Sequence, residues 1–304
     1  MRNFSITLAT LFLIGSTIAC GTIPQVPEIE IPEIEVPDIN VPTLEAGEMR
    51  DEQEDIPLSG AESATVEIIF GAGKLEIEAG TPGQLFSGHF QYNVEQWAPE
   101  VTYEDGVLTI EQRGEDWGIP TANIHNEWEL EFSPEIPLEM DIEVGAGEGE
   151  LDFTGLQLTA LDMDLGAGDF DVRFGKPNAV EMSDLTLDTG ASKLELIGIG
   201  YAGPERVRVQ SGVGDITLDF TGAWPRSANV QVTAGVGSVT LRLPDNVGVR
   251  VETQGGLSNV EASGFERVDD AYVNDAFGTA EIELHIQVTM GIGNLRLIQV
   301  SNEN

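Results

Sequence analysis

The chain has 304 residues, 53 of them acidic and only 14 Lys or Arg, for a formal net charge of −39 with 41% hydrophobic residues. A field of that sign repels duplex nucleic acid and anionic lipid surfaces, which excludes nucleic-acid partners and leaves positively charged or cation-bridged ones. The single cysteine, Cys20, excludes an internal disulfide and any cysteine-based metal site, and the apolar content suffices for a sizeable core.

The N-terminus reads MRNFSITLATLFLIGSTIAC: a positive charge at Arg2, an apolar run from Ile6 to Ile14, then small residues up to Cys20. The apolar run is too short to span a bilayer as a helix, so residues 1–19 are expected to be a secretory signal peptide. Thr17-Ile18-Ala19-Cys20 resembles the lipobox of bacterial lipoproteins, with Thr17 where Leu is usual, and that resemblance implies lipidation of Cys20. The expected location is therefore the cell envelope, with the protein lipid-anchored on the extracytoplasmic side of a bacterial membrane.

Residues 20–60 are predicted to form an acidic, Pro-rich, disordered linker. Pro27, Pro32, Pro37 and Pro42 recur every five residues, each removing a backbone donor, and the intervening acids repel one another. At about 3.1 Å per residue such a tether would hold the body up to roughly 100 Å from the membrane.

From residue 61 onward the chain alternates apolar and polar residues over short stretches, as in VTYEDGVLTIE, where Asp105-Gly106 marks a hairpin turn. An N-terminal β module is expected over 61–133 and a repeat region over 134–304. The repeat is a Gly-x-Gly flanked by alternating arms: FGAGKLEI from residue 70, VGAGEGELDF from 144, LGAGDFDV from 165, TGASKLEL from 189, SGVGDITL from 211, AGVGSVTL from 234 and MGIGNLRL from 290. TQGGLSNVEA, around Gly255 and Gly256, is a degraded copy. First glycines at 145, 166, 190, 212 and 235 are 21, 24, 22 and 23 residues apart, which is a repeat period.

The phase of the apolar residues reverses at each glycine pair. Val207, Val209 and Val213 occupy odd positions before one pair, and Ile216, Leu218 and Phe220 occupy even positions after it; Val230, Val232, Ala234 and Val236 give way in the same manner to Val239, Leu241 and Leu243, and Val288, Met290 and Ile292 to Leu295 and Leu297. A strand has a period of two, so an unbroken one would turn the second set outward. A corner or bulge at the glycines restores both arms to one interior. The predicted fold is all-β: a parallel β-solenoid of about 22-residue coils with Gly-x-Gly corners.

Two ligand readings of the glycines fail. A dinucleotide Gly-x-Gly needs a following helix to receive the phosphate, and here an alternating strand follows. Calcium-binding β-rolls repeat every nine residues with an Asp in each turn, whereas this motif carries Lys, Glu, Asp or Ser after the second glycine. No specific metal site and no cofactor are expected, only weak, diffuse association of cations with the acidic surface.

No catalytic constellation emerges. His89, His125 and His285 are far apart in sequence and read as structural or surface residues. Asp162, Asp164, Asp169 and Asp171 alternate with apolar residues and should face solvent, and Arg206 and Arg208 should offset neighbouring acids. Trp128 is in phase with Leu130 and Phe132 and should be core; Trp97 stands in a different setting, and Trp117 and Trp224 fall in loops, as contact points or as caps on the interior. The interval from Gly235 to Gly291 reads as two coils plus an insertion over 264–282 that binds or caps.

The order of these arms, from ATVEIIFGAGKLEIEAG through LFSGHFQYNVEQWAPEVTYEDGVLTIEQ to EWELEFSPEIPLEMDIEVGAGEGELDFTGLQLTALDMDLGAGDFDV, resembles the bacterial toast-rack family and is similar to LiaF-like and adhesin-type β-solenoid envelope proteins. The resemblance covers residues 60 to 298 and implies an envelope-associated protein of adhesion, assembly or stress sensing. The expectation is a non-enzymatic lipoprotein that contacts the membrane through its anchor and an envelope protein or glycan through its surface. The alternative is a β-solenoid that binds or acts on cell-surface polysaccharide.

Overall fold

The computed structural model describes residues 43–44, 46–114, 119–120 and 123–301. Cys20, the signal peptide, nearly all of the Pro-rich stretch and Trp117 lie outside the described residues. Strands in chain order are β1 Thr43–Leu44, β2 Arg50–Pro57, β3 Ala64–Ala79, β4 Gln84–Tyr92, β5 Pro99–Glu104, β6 Val107–Gln112, β7 Ile119–Pro120, β8 Asn126–Phe132 and β9 Pro137–Asp152. They continue as β10 Gln157–Arg173, β11 Asp184–Ile197, β12 Arg206–Asp219, β13 Ala228–Pro244, β14 Gly248–Ser263, β15 Glu266–Val268, β16 Ala271–Val273 and β17 Glu283–Val300. A single helical turn, Ile199–Ala202, joins β11 to β12.

The fold is all-β, as expected, but its main sheet is mixed. The order runs β15-β16-β14-β17-β13-β12-β11-β10-β9-β3-β8-β4-β2, with β6 on the other arm of β3 and β5 beyond it. From β3 to β14 the long strands pair in parallel, rung on rung. Both ends are antiparallel: β2 on β4, β4 on β8 and β5 on β6 at one end, and β16 on β14 and β15 on β16 at the other.

Where short strands punctuated by glycine were predicted, single strands of up to 18 residues run through each glycine pair. The ladder survives because the glycines of neighbouring rungs sit at one level. The register passes from Leu165↔Val144 to Ala167↔Ala146 and from Ser211↔Ala234 to Val213↔Val236, leaving the first glycine outside the bridged pairs from β3 through β13 and in the pairing of β13 with β17, whereas in β14 Gly255 pairs with Met290. Burial then changes phase across that level. In β9, Leu138, Met140, Ile142 and Val144 are buried before it and Leu151 after it; in β10 the set is Leu161, Met163 and Leu165, then Phe170 and Val172.

Three residues placed in the apolar phase are not interior. Val213, Val236 and Ile292, the middle residues of their motifs, are 54%, 49% and 64% exposed. The phase is lost at the first glycine rather than beyond the middle residue, so in β9 none of the four residues Gly145 to Glu148 is buried. The middle side chain therefore projects outward between the glycines.

Two further placements required tertiary partners. Acidic RDEQEDIP, expected in the linker, is β2, an edge strand whose backbone is satisfied by β4 and which ends at Pro57. The last strand, β17, inserts between β13 and β14, so Gly291 stands beside Gly235 and the degraded copy is outermost. The insertion over 264–282 supplies β15 and β16, and β16 covers only Arg250–Glu252 on the first arm of β14.

The core is continuous between the two arms of the rungs. At the β3 end it is aromatic: Trp128 meets Phe70 and Phe90 edge-on with ring centroids 4.9 and 5.2 Å away. Trp224 is buried, stacks on Phe220 and donates its indole N–H to the Phe220 carbonyl at 2.8 Å, so it closes the interior as one of the two expectations held. Trp97 is buried beside Val94. Among the described residues, no helix is long and apolar enough to cross a membrane.

Candidate interaction surface

Because successive rungs are in register, each outward position becomes a column crossing the sheet, with strands about 4.8 Å apart. The column of first glycines, Gly145, Gly166, Gly190 and Gly212, falls on the outward side but carries no side chains. It leaves a groove of about 1000 Å³ running across the rungs. The floor is peptide backbone.

One wall is the column two residues before the glycines. Register places Ile69, Glu143, Asp164, Asp188, Gln210 and Thr233 side by side along the groove and continues the column to Thr289 and Gln254 beyond it, so the column is carboxylate for three rungs and neutral for the next four. Past the first glycines and outside the groove lining, the middle residues Ala146, Ala167, Ala191, Val213, Val236 and Ile292 form an exposed ridge, one residue per rung. At the β3 end, where β6 and β8 part to opposite arms, the Gln112 side-chain oxygen accepts from the Gly71 N–H and from Asn126 Nδ2, both at 3.0 Å. This side chain closes the groove there.

Asp162, Asp164, Asp169 and Asp171 face solvent as expected. Asp162 belongs to a second column, Glu67-Asp141-Asp162, parallel to the groove wall. Partial burial, followed by repulsion from neighbouring carboxylates, raises the pKa values of Asp141 and Asp162. On the second arm, Lys74 ties β3 to its neighbours by pairing with Glu76, with Glu127 at 3.5 Å and with Glu150 at 3.7 Å.

The three histidines stay apart. His89 bridges Asp51 of β2 at 3.0 Å and Glu129 of β8 at 3.3 Å, and these carboxylates raise its pKa through hydrogen bonds against a smaller desolvation penalty. His125 lies 3.6 Å from Glu127, and His285 lies 3.3 Å from Glu283 and edge-on to Phe277. Among the described residues, no group of three or more His, Cys, Asp or Glu could hold a metal ion. Arg206 grips Asp184 with two bonds of 2.7 Å, holding that carboxyl below its usual range, and Arg208 adds a smaller attraction.

Sequence reasoning missed the groove and the ridge. The available signal was the middle residue of each motif, which changes from Ala to Val to Ile along the chain while sitting between two glycines, or in β11 between Gly190 and Ser192.

The match to known families covers residues 45–197 and 178–242 and is to the N-terminal domain of toast_rack, DUF2154. No curated protein matches the chain in sequence. Similar solved structures include a "putative cell adhesion protein" from Clostridium sporogenes, 25% identical, covering 83% of this chain and 100% of that one with a TM-score of 0.46. A "putative adhesin" from Parabacteroides distasonis is 13% identical over 85% of this chain and 100% of its own, with a TM-score of 0.41. A "putative lipid binding protein" from the same species is 12% identical over 83% and 99%, with a TM-score of 0.35. With the domain matched over more than half of its length, the chain belongs to the toast-rack family.

Proposed function

We propose that this protein is a non-enzymatic envelope lipoprotein, anchored through Cys20 and an acidic Pro-rich tether, whose rungs stack as a β-solenoid and hold the groove and its ridge for an extended chain of an envelope partner. The observation that carries this reading is the ridge itself: Val213, Val236 and Ile292 stand exposed on three adjacent rungs, beside a wall that is neutral at that end. In a chain of charge −39 this is where an apolar partner meets least repulsion. Among the described residues, Phe70 is the aromatic residue in the groove lining and it is buried, so they offer no aromatic face there to a sugar ring, which favours a protein partner over a glycan.

A photo-activated cross-linker at Val236 in the lipidated protein, compared with one at exposed Asp169 on the acidic rungs, tests the surface. A partner captured from the ridge and lost in Val213→Asp supports the proposal; equal capture at both positions, or none, argues for a passive coat. Labelling with a fatty acid that survives Cys20→Ser would remove the anchor from this reading.

A further inference from the structure

The terminal rung, β14, is covered on only one of its two arms. β16 pairs with Arg250–Glu252, whereas Asn259–Ser263 pair with β17 on one side and have no strand on the other among the described residues. The last register irregularity lies between Leu257 and Asn259, so beyond it the ladder is regular and its outer N–H and C=O groups form an open edge. The core is open at the same place. Val260 and Ala262 are only half-buried, although Leu295 and Leu297, one rung inward, are 1% and 0% exposed.

We infer that this edge pairs with the same edge of a second copy, antiparallel about a twofold axis at Val260. Two observations select that occupant and register. The charge of the body is lopsided: residues after 205 hold seven Arg against twelve acids, a net −5, while residues 46–205 hold six Lys or Arg against 35 acids, a net −29. Two copies therefore approach with least repulsion by their β12–β17 ends, and a twofold axis places their acidic ends farthest apart. Centring on Val260 sets Asn259 of each copy opposite Glu261 of the other, on the outward face where both are exposed, and Val260 against Val260 on the half-open core. Centring on Glu261 would instead oppose two carboxylates. Within one copy Glu261 is already held by Arg296 at 3.1 Å and by the Asn259 amide at 3.3 Å, so it is fixed in place for the cross-strand contact.

The edge is short, so the dimer is concentration-dependent, and salt strengthens it by screening the like net charges. Sedimentation equilibrium of the full chain in density-matched detergent measures it. Asn259→Glu places two like-charge pairs across the axis and should raise the dimer Kd about tenfold, while Asn259→Lys should lower it. Both substitutions fall on an exposed position and remove only the exposed Asn259–Glu261 hydrogen bond within one copy, so the monomer should stay folded with little change in melting temperature, which separates a lost interface from a lost fold. A chain that stays monomeric at all concentrations, larger open-ended species, or a dimer indifferent to both substitutions would each overturn the inference.

Discussion

Gly147 lies against the backbone of Gly73 on the adjacent rung, so that a Cβ atom on Gly147 would fall well inside 3.0 Å of the Gly73 carbonyl oxygen. The relation recurs along the sheet: Gly237 meets the carbonyl of Gly214, and Gly293 that of Gly237. Gly147 also has φ +142°, a conformation that side chains rarely adopt. Gly147→Ala must displace the backbone of β3 or β9 and should cost on the order of 3 kcal/mol or more. Gly83→Ala, at φ +87° with nothing within 4 Å, should cost about 1 kcal/mol. Denaturant unfolding of the two variants measures the difference, and equal losses would refute backbone contact as the reason for the glycines.

One rung departs from the glycine pair. In β11 the second glycine is replaced by Ser192, which is buried and shares a short hydroxyl hydrogen bond with buried Thr189. Ser192→Ala leaves the Thr189 hydroxyl without that partner and should destabilise by about 1–2 kcal/mol. Melting of Ser192→Ala and the double variant with Thr189→Val would show the loss partly recovered in the double if the hydroxyl pair is the cause.

Trp128 is fully buried, yet among the described residues its indole N–H has no hydrogen-bond partner. Its contribution is therefore packing against Phe70 and Phe90 rather than hydrogen bonding. Trp128→Ala should cost about 3–5 kcal/mol, whereas Trp128→Phe, which removes an unsatisfied donor along with some volume, should cost much less. A Phe variant as unstable as the Ala variant in denaturant titrations would contradict this.

Stability should rise on mild acidification. Asp141 and Asp162 have folded-state pKa values raised above 3.8, so their charged forms burden the native state at neutral pH. Protonation as pH falls through the raised values removes that burden. His89 has a folded pKa raised above 6.5, so its stabilisation is fully present below 6.5 and is lost as pH climbs through the raised value. Both act in the same direction: Tm should increase as pH falls through the raised His89 value and again as it falls through the raised values of the two carboxyls. Tm in Asp141→Asn/Asp162→Asn should respond less at the acidic side, and Tm in His89→Gln less at the alkaline side; unchanged profiles would show that these groups do not set the dependence.

The legibility of the sequence varied with the range of the interactions concerned. Trp128, Leu130 and Phe132 were readable as core because a strand's period of two is local. The phase reversal at the glycines was readable for the same reason, and so were the outward acids of β10. Val213, Val236 and Ile292 were misplaced because alternation cannot say at which residue of a corner the phase is lost. That is fixed by which backbone groups find partners on the next rung. RDEQEDIP carried no strand signal of its own, and only β4 makes it one.

By itself, then, the sequence determined the all-β class, the repeat, the two inward-facing arms and the acidic exterior, since each follows from side-chain periodicity and composition along a few residues. The tertiary structure decided what lies beside what: the mixed ends of the sheet, β17 between β13 and β14, the glycine-floored groove and the uncovered arm of β14. These depend on pairing between residues tens of positions apart, where many partners satisfy the same local pattern and the choice is made by the register in which neighbouring backbones close together.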